Sequence, residues 1–382
     1  GGGVKLKRMY AHFICSPSRS ALQSGRAPHR VNLENYDPFG FVPGGGEWGY
    51  TGAPPLYEGL GHVMRRGGYT THMLGKWHAG MATAQQTPAG RGYDEALVHF
   101  TCTVSGWTYA AWDCPACNRT DLWESGEDIP FPGRPALALL NDPKCDKTTA
   151  VGWSGGGRCV HVDDTLASRT EATIAAHPLS GPDAKLLFLL LSPHAKHGPH
   201  DEPKVLEGCP ARSRATRFSG GPSLTEAAAP NVQFSLMKEV MATHKMADCE
   251  VQMAVASLDD LVGRVADALQ SRAGLWDASL LVFASDNGGD GGQVPEWANS
   301  PLRGSKRTVW EGGIRVAAFA SGGYLPTAVR GTVQDGLMCL HDLYATFAAL
   351  AGVTDLQQAP TSSMFAVDAL DMSSLLLGRT NE

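Results

Sequence analysis

The chain has 382 residues, enough to bury one large α/β core or two ordinary ones, and its 43% hydrophobic and 18% charged content excludes a disordered or fibrous protein. No uninterrupted apolar run reaches the roughly 18 residues that cross a bilayer, which excludes a membrane-spanning helix. Lys and Arg number 32 against 38 Asp and Glu, a net charge of -6 without basic blocks, so neither DNA nor RNA is an expected partner.

Gly (45) and Pro (24) are frequent, which predicts many turns around a rigid framework, with function on the loops. The first chemically suggestive segment is Cys15-Ser16-Pro17-Ser18-Arg19. Pro17 suits the first turn of a helix, and Arg19 lies one turn after Cys15 on the same face. A cysteine at the positive end of a helix beside an arginine suits a thiolate nucleophile or a modified residue that attacks an oxyanion ester. A buried structural cysteine beside an incidental arginine is the bland alternative.

A helix is expected from Leu56 to Arg66, ending at Gly67-Gly68, and a strand from Tyr69 to Leu74. Lys76 and His78 follow it; at i and i+2 of an extended chain both point into one cleft, where a cation and an imidazole suit a charged ester. A surface lysine and a hydrogen-bonded histidine would fit the same letters. Residues 36 to 55, 114 to 160 and 195 to 232 lack periodicity and are read as surface excursions of one domain. The middle one holds the sequon Asn118-Arg119-Thr120 and Cys114-Pro115-Ala116-Cys117, the latter read as a structural disulfide. The sequon and nine cysteines favour a secretory compartment, lysosomal or extracellular.

A second apolar strand is expected from Leu186 to Leu191, followed by His194, His197 and His200, of which one acts in a cleft and the others are solvated or structural. Apolar residues from Val251 to Leu269 recur at helical spacing, and a third strand, Leu280 to Ala284, leads into Ser285-Asp286-Asn287-Gly288-Gly289. All three strands are expected to be buried and parallel. Oxygen donors at a strand end before flexible glycines suit Ca²⁺ or Mg²⁺, and also an ordinary turn. Helices are expected at Asp342 to Gly352 and Ala366 to Leu377.

Cys15-Ser16-Pro17-Ser18-Arg19-Ser20-Ala21-Leu22-Gln23-Ser24-Gly25-Arg26 resembles the first sulfatase signature, and Gly68-Tyr69-Thr70-Thr71-His72-Met73-Leu74-Gly75-Lys76-Trp77-His78 is similar to the second. Leu302-Arg303-Gly304-Ser305-Lys306 and Trp310-Glu311-Gly312-Gly313-Ile314-Arg315 also resemble the family, most closely its arylsulfatase B-like (N-acetylgalactosamine-4-sulfatase) branch. The resemblance implies an α/β, alkaline-phosphatase-like fold: a mostly parallel sheet flanked by helices on both faces. It implies a sulfuric ester hydrolase cleaving sulfate monoesters, with sulfated carbohydrate as the expected substrate.

By the same resemblance Cys15 is converted to formylglycine by a formylglycine-generating enzyme. The hydrate attacks sulfur and later expels sulfate by re-forming its aldehyde. Arg19 orients the diol, Lys76 contacts formylglycine and sulfate, and His78 is the base that helps eliminate sulfate. His197, in His197-Gly198-Pro199 with Pro203, and Lys306 bind sulfate and protonate the leaving oxygen. Asp286, Asn287 and the residue-15 side chain hold the metal, usually Ca²⁺. Two further ligands, a pair of adjacent aspartates ending an upstream strand, have no counterpart in the 14 residues before Cys15. Asp163-Asp164 and Asp259-Asp260 are read as surface or capping carboxylates. The first strand and the smaller C-terminal subdomain are expected to be missing, and the chain as given to have little activity.

A cysteine phosphatase is excluded because its loop needs five residues between Cys and Arg, and only three lie here. A phosphodiesterase or phosphonate hydrolase of the same superfamily, and a scaffold that binds sulfated glycans without cleaving them, stay open. Trp107, Tyr109, Trp112 and Trp297 are candidates for stacking on a sugar or aryl ring.

Overall fold

The computed structural model describes residues 2–31, 52–111, 120–141, 145, 159–181, 184–195, 197, 247–291, 299–359 and 365–380, with the backbone alone at 247–253. Ten strands are described: β1 (Val4–Tyr10), β2 (Tyr69–Lys76), β3 (Glu95–His99), β4 (Trp123–Ser125), β5 (Arg134–Pro135), β6 (Leu186–Ser192), β7 (Leu281–Ala284), β8 (Arg315–Val316), β9 (Ala318–Ser321) and β10 (Val333–Cys339). The helices are α1 (Cys15–Ser24), α2 (Pro28–Val31), α3 (Leu60–Arg66), α4 (Val162–Ala176), α5 (Ala247–Gln270), α6 (Glu311–Ile314), α7 (Asp342–Leu350) and α8 (Ser373–Leu376). None is long and apolar enough to cross a membrane.

The strands form two sheets, one in the order β10-β1-β9-β7 with β8 beside β1, the other β5-β4-β3-β2-β6. β2 runs parallel to both β3 and β6, as an α/β sheet requires. Its side chains alternate between two cores. Met73 packs with Ala96 and Val98 on one face, and Leu74 packs with Leu97, Val162 and Leu166 of α4 on the other. Cover on both faces is why Leu186–Leu191 is apolar at every position instead of every second one. β1, unanticipated from the sequence, lies inside the first sheet, and its Val4, Leu6 and Met9 fill the core beneath α7 and α8.

Several expectations need correction. β9 runs antiparallel to both β1 and β7, so the third apolar run points the same way as β1 and β10 but has no parallel partner beside it among the described residues, and both β6 and β7 are half-buried, each pairing on one edge only among those residues. The helix expected from Leu56 starts at Leu60, because the carbonyls of Pro54, Pro55 and Tyr57 are taken by the buried Arg91 guanidinium. Only Ser373–Leu376 of the last expected helix is helical. Upstream, the N–H groups of Asp368 and Ala369 go to the Gly25 carbonyl, and those of Leu370 and Met372 to side chains of Asp342 and Thr346. Within 114–160 two short strands, β4 and β5, extend the sheet. Cys114, Cys117, Asn118, Trp112, Trp297, His200 and Pro203 lie outside the described residues. A disulfide joins Cys145 to Cys159.

Candidate active site

Cys15 is the first residue of α1 and fully buried. Arg19, one turn on, gathers three strand ends around it. Its Nε and Nη2 each lie 2.8 Å from Asp286 Oδ2 after β7, and Nη1 donates to the Lys76 carbonyl at the end of β2 and to Ser192 Oγ at the end of β6, both at 2.7 Å. Ser18 Oγ donates to the Asp286 carbonyl at 2.5 Å, a second tie between α1 and that loop. Cys15 Sγ is 3.2 Å from Asn287 Oδ1. Gly288 follows directly, and a side chain there would strike the Gly312 carbonyl, so the loop can close only with glycine.

Lys76 and His78 both enter this site, but not for the reason the spacing suggests. The chain is not extended there: His78 has φ 47, in the left-handed region, and this strained backbone turns its imidazole onto Cys15. Burial pushes the His78 pKa down to about 4, so the ring is neutral; its Nδ1 has no hydrogen-bond partner among the described residues. Lys76 Nζ lies 3.7 Å from Cys102 Sγ. His197 Nε2 is 3.7 Å from the same sulfur and 3.3 Å from Lys306 Nζ. Burial, then the charge of Lys76, lowers the His197 pKa. Burial alone would lower that of Lys306 too, but the negative charges of Cys15 and Asp286 outweigh it and raise it, so the lysine donates and the imidazole accepts.

The Cys15 thiol is held well below the ordinary thiol range, first by a hydrogen bond from Cys102 and also by the charge of Lys76, against the opposing effect of burial. The Cys102 thiol is raised by the same hydrogen bond and by burial.

All eight named site residues, Cys15, Arg19, Lys76, His78, His197, Asp286, Asn287 and Lys306, are therefore gathered around one locus. Cys102 was not foreseen. It sits three residues past β3, whose His99 pairs in register with Lys76. Recognising Glu95–His99 as a parallel strand would have directed attention to the loop after it. Ser192 was likewise not singled out.

The decoys and substitutes find structural roles. His194 is buried, its ring 6.1 Å from that of His197, and its backbone N–H donates to Asp163 Oδ1 at 2.7 Å. Asp163 is buried rather than a surface carboxylate, and it anchors the loop that carries His197. Asp164 pairs with Arg264 of α5, and Asp259 and Asp260 lie on α5 itself. Trp107 and Tyr109 are buried, against the His161 ring and hydrogen-bonded to Val160 and Thr165 respectively, so they are not available to stack on substrate. Glu311 braces β1 through Tyr10 and pairs with Arg315.

The fit to a hard cation is incomplete. Ca²⁺ takes six to eight oxygens; Asp286 and Asn287 offer two side chains, and one Asp286 oxygen is held by Arg19. Among the described residues the three-donor cluster is Cys15, Cys102 and His197, which contains no oxygen.

A family model described as Sulfatase matches residues 1–353. The chain belongs to the sulfatase family. It is 27% identical to mouse Arylsulfatase J over 350 residues, covering 91% of this chain and 47% of the relative, and 27% identical to human Arylsulfatase A over 383 residues, covering 99% and 61%. This sulfatase-family chain thus spans about half to three-fifths of those relatives' lengths. Among solved structures it superposes on Ps i-CgsB in complex with k-i-k-neocarrahexaose with TM-score 0.67 and 21% identity, over all of this chain and 69% of that one. It superposes on the PsFucS1 sulfatase from Pseudoalteromonas sp. with TM-score 0.62 and 21% identity, over 98% and 64%. These neighbours share the α/β sulfatase fold expected from the motifs.

Proposed function

We propose that the whole protein is an arylsulfatase-type sulfuric ester hydrolase acting on sulfate monoesters, with a sulfated carbohydrate as substrate. The observation that carries this is the convergence of Cys15, Arg19, Lys76, His78, His197 and Lys306 on one buried site, two ammonium groups and two imidazoles around a single side chain. Such a site recognises a small tetrahedral anion and can move protons on both sides of it. The sugar-bound neighbour supports the carbohydrate half of the substrate. The arylsulfatase B-like assignment rests on motif wording.

As formylglycine, residue 15 would supply the attacking hydroxyl of an aldehyde hydrate. Lys76 and Lys306 neutralise the sulfate oxygens. His197, neutral and hydrogen-bonded to Lys306, is placed to relay a proton from that ammonium to the departing oxygen. His78, neutral and against residue 15, accepts the hydroxyl proton when sulfate is expelled. Asp286 and Asn287 would be the Ca²⁺ or Mg²⁺ ligands. The Cys145–Cys159 disulfide supports a secretory location, lysosomal or extracellular.

The test pairs mass analysis of the Cys15 peptide with hydrolysis of matched aryl sulfate and phosphate esters by the whole protein, with Ca²⁺ present. An aldehyde at residue 15 and preferential sulfate release are expected. Preferential phosphate release would instead favour the phosphodiesterase reading. Sulfated-glycan binding without hydrolysis, despite the aldehyde, would favour a scaffold.

A further inference from the structure

The Cys102 thiol has no part in the proposed ester hydrolysis, yet it lies against Cys15: Cys15 Sγ, Cys102 Sγ and His197 Nε2 are all within 4.8 Å of one another. A soft metal ion is one reading of this cluster. Charge opposes it, because Lys76 Nζ touches one of the three donors and Lys306 Nζ another, so a cation would enter beside two ammonium groups. Two adjacent thiols with cations around them suit attack on a disulfide better. Access orders the steps, since Cys102 is partly exposed and Cys15 has no exposed surface.

We infer that Cys102 is the disulfide partner of residue 15 in any folded molecule where residue 15 has kept its thiol, locking that molecule out of conversion and catalysis. The oxidant is a small disulfide of the glutathione class. Cys102 Sγ attacks one of its sulfurs and expels one small thiol, which leaves with the Cys102 proton. Cys15 then attacks Cys102 Sγ, forming the Cys15–Cys102 bond and expelling the second. The protein thiols give up two protons and two electrons, which leave as two small thiols. The inference concerns only the cysteine form of residue 15, so it stands whether or not the converted form is a sulfatase.

The experiment uses full chain prepared without the converting enzyme, shown by mass to carry a thiol at residue 15. After treatment of the folded protein with glutathione disulfide, it is alkylated and digested with chymotrypsin without reduction. Cleavage after Phe100 and Trp107 separates Cys102 from Cys114 and Cys117. The expected product joins the Cys15 and Cys102 peptides, lighter than their sum by two hydrogens, and is resolved by dithiothreitol. In Cys102→Ser the Cys15 peptide should instead be recovered alkylated or glutathionylated. Recovery of Cys15 as thiol beside a persistent glutathione adduct on Cys102, or of Cys15 linked to another cysteine, would overturn the inference. The wild-type map decides the matter even if the variant fails to fold.

Discussion

Arg19 Nε and Nη2 converge on one oxygen of Asp286, Oδ2, at 2.8 Å each, while Nη1 reaches β2 and β6. A single guanidinium thus ties the start of α1 to the ends of strands from both sheets. Because the pair is mostly buried, removing one partner leaves an uncompensated charge, which costs roughly 3–5 kcal/mol. Arg19→Ala should fall near the lower end, and Arg19→Lys should recover less than half of the loss, since an ammonium cannot span three acceptors. Denaturant midpoints at constant slope measure this; a loss below about 0.5 kcal/mol in Arg19→Ala would mean the clamp does not hold the sheets.

Gly75 has φ +94, and a side chain there would collide with the Ser192 carbonyl across the β2–β6 pair. Gly331 has φ +77 with open space around it. Both alanine variants carry the backbone strain of about 1–3 kcal/mol, and only Gly75→Ala adds overpacking of about 1–3 kcal/mol. Gly75→Ala should therefore be clearly the less stable in thermal unfolding. Equal losses would show that φ alone matters at Gly75.

Inorganic sulfate should bind between Lys76 and Lys306. Each charged hydrogen bond is worth about 1.5–3 kcal/mol, so Lys76→Ala and Lys306→Ala should each weaken sulfate roughly 10- to 100-fold by calorimetry. Lys7, an exposed lysine paired with Asp335, is the control, and Lys7→Ala should leave affinity unchanged. Equal affinities in all three variants would locate the anion elsewhere.

His62 of α3 should contribute to acid sensitivity. Burial, then the charges of Arg91 and Arg65, lowers its pKa from 6.5 to about 4. The unfolded chain therefore binds more protons than the folded one between those values. Stability should be flat above pH 6.5 on this account and fall as pH drops towards 4. His62→Gln should shallow that fall when unfolding free energy is followed against pH; an unaltered slope would assign the sensitivity to other groups, such as His12.

The strands Tyr69–Lys76 and Leu186–Ser192, the helix at 247–270 and the motif residues of the site were all legible in the sequence. The strands and the helix rest on spacing within one element, an apolar run or a helical period, whereas the site residues rest on the resemblance of short motifs to the family signatures. What those elements meet was not legible. That the 281–284 strand lies beside a reversed neighbour, that Trp107 and Tyr109 are buried, that Asp163 holds the histidine loop and that Cys102 faces Cys15 all depend on the register of segments far apart in the chain. Local spacing fixes which face a side chain occupies, and only the packing of sheet against sheet decides what stands opposite it.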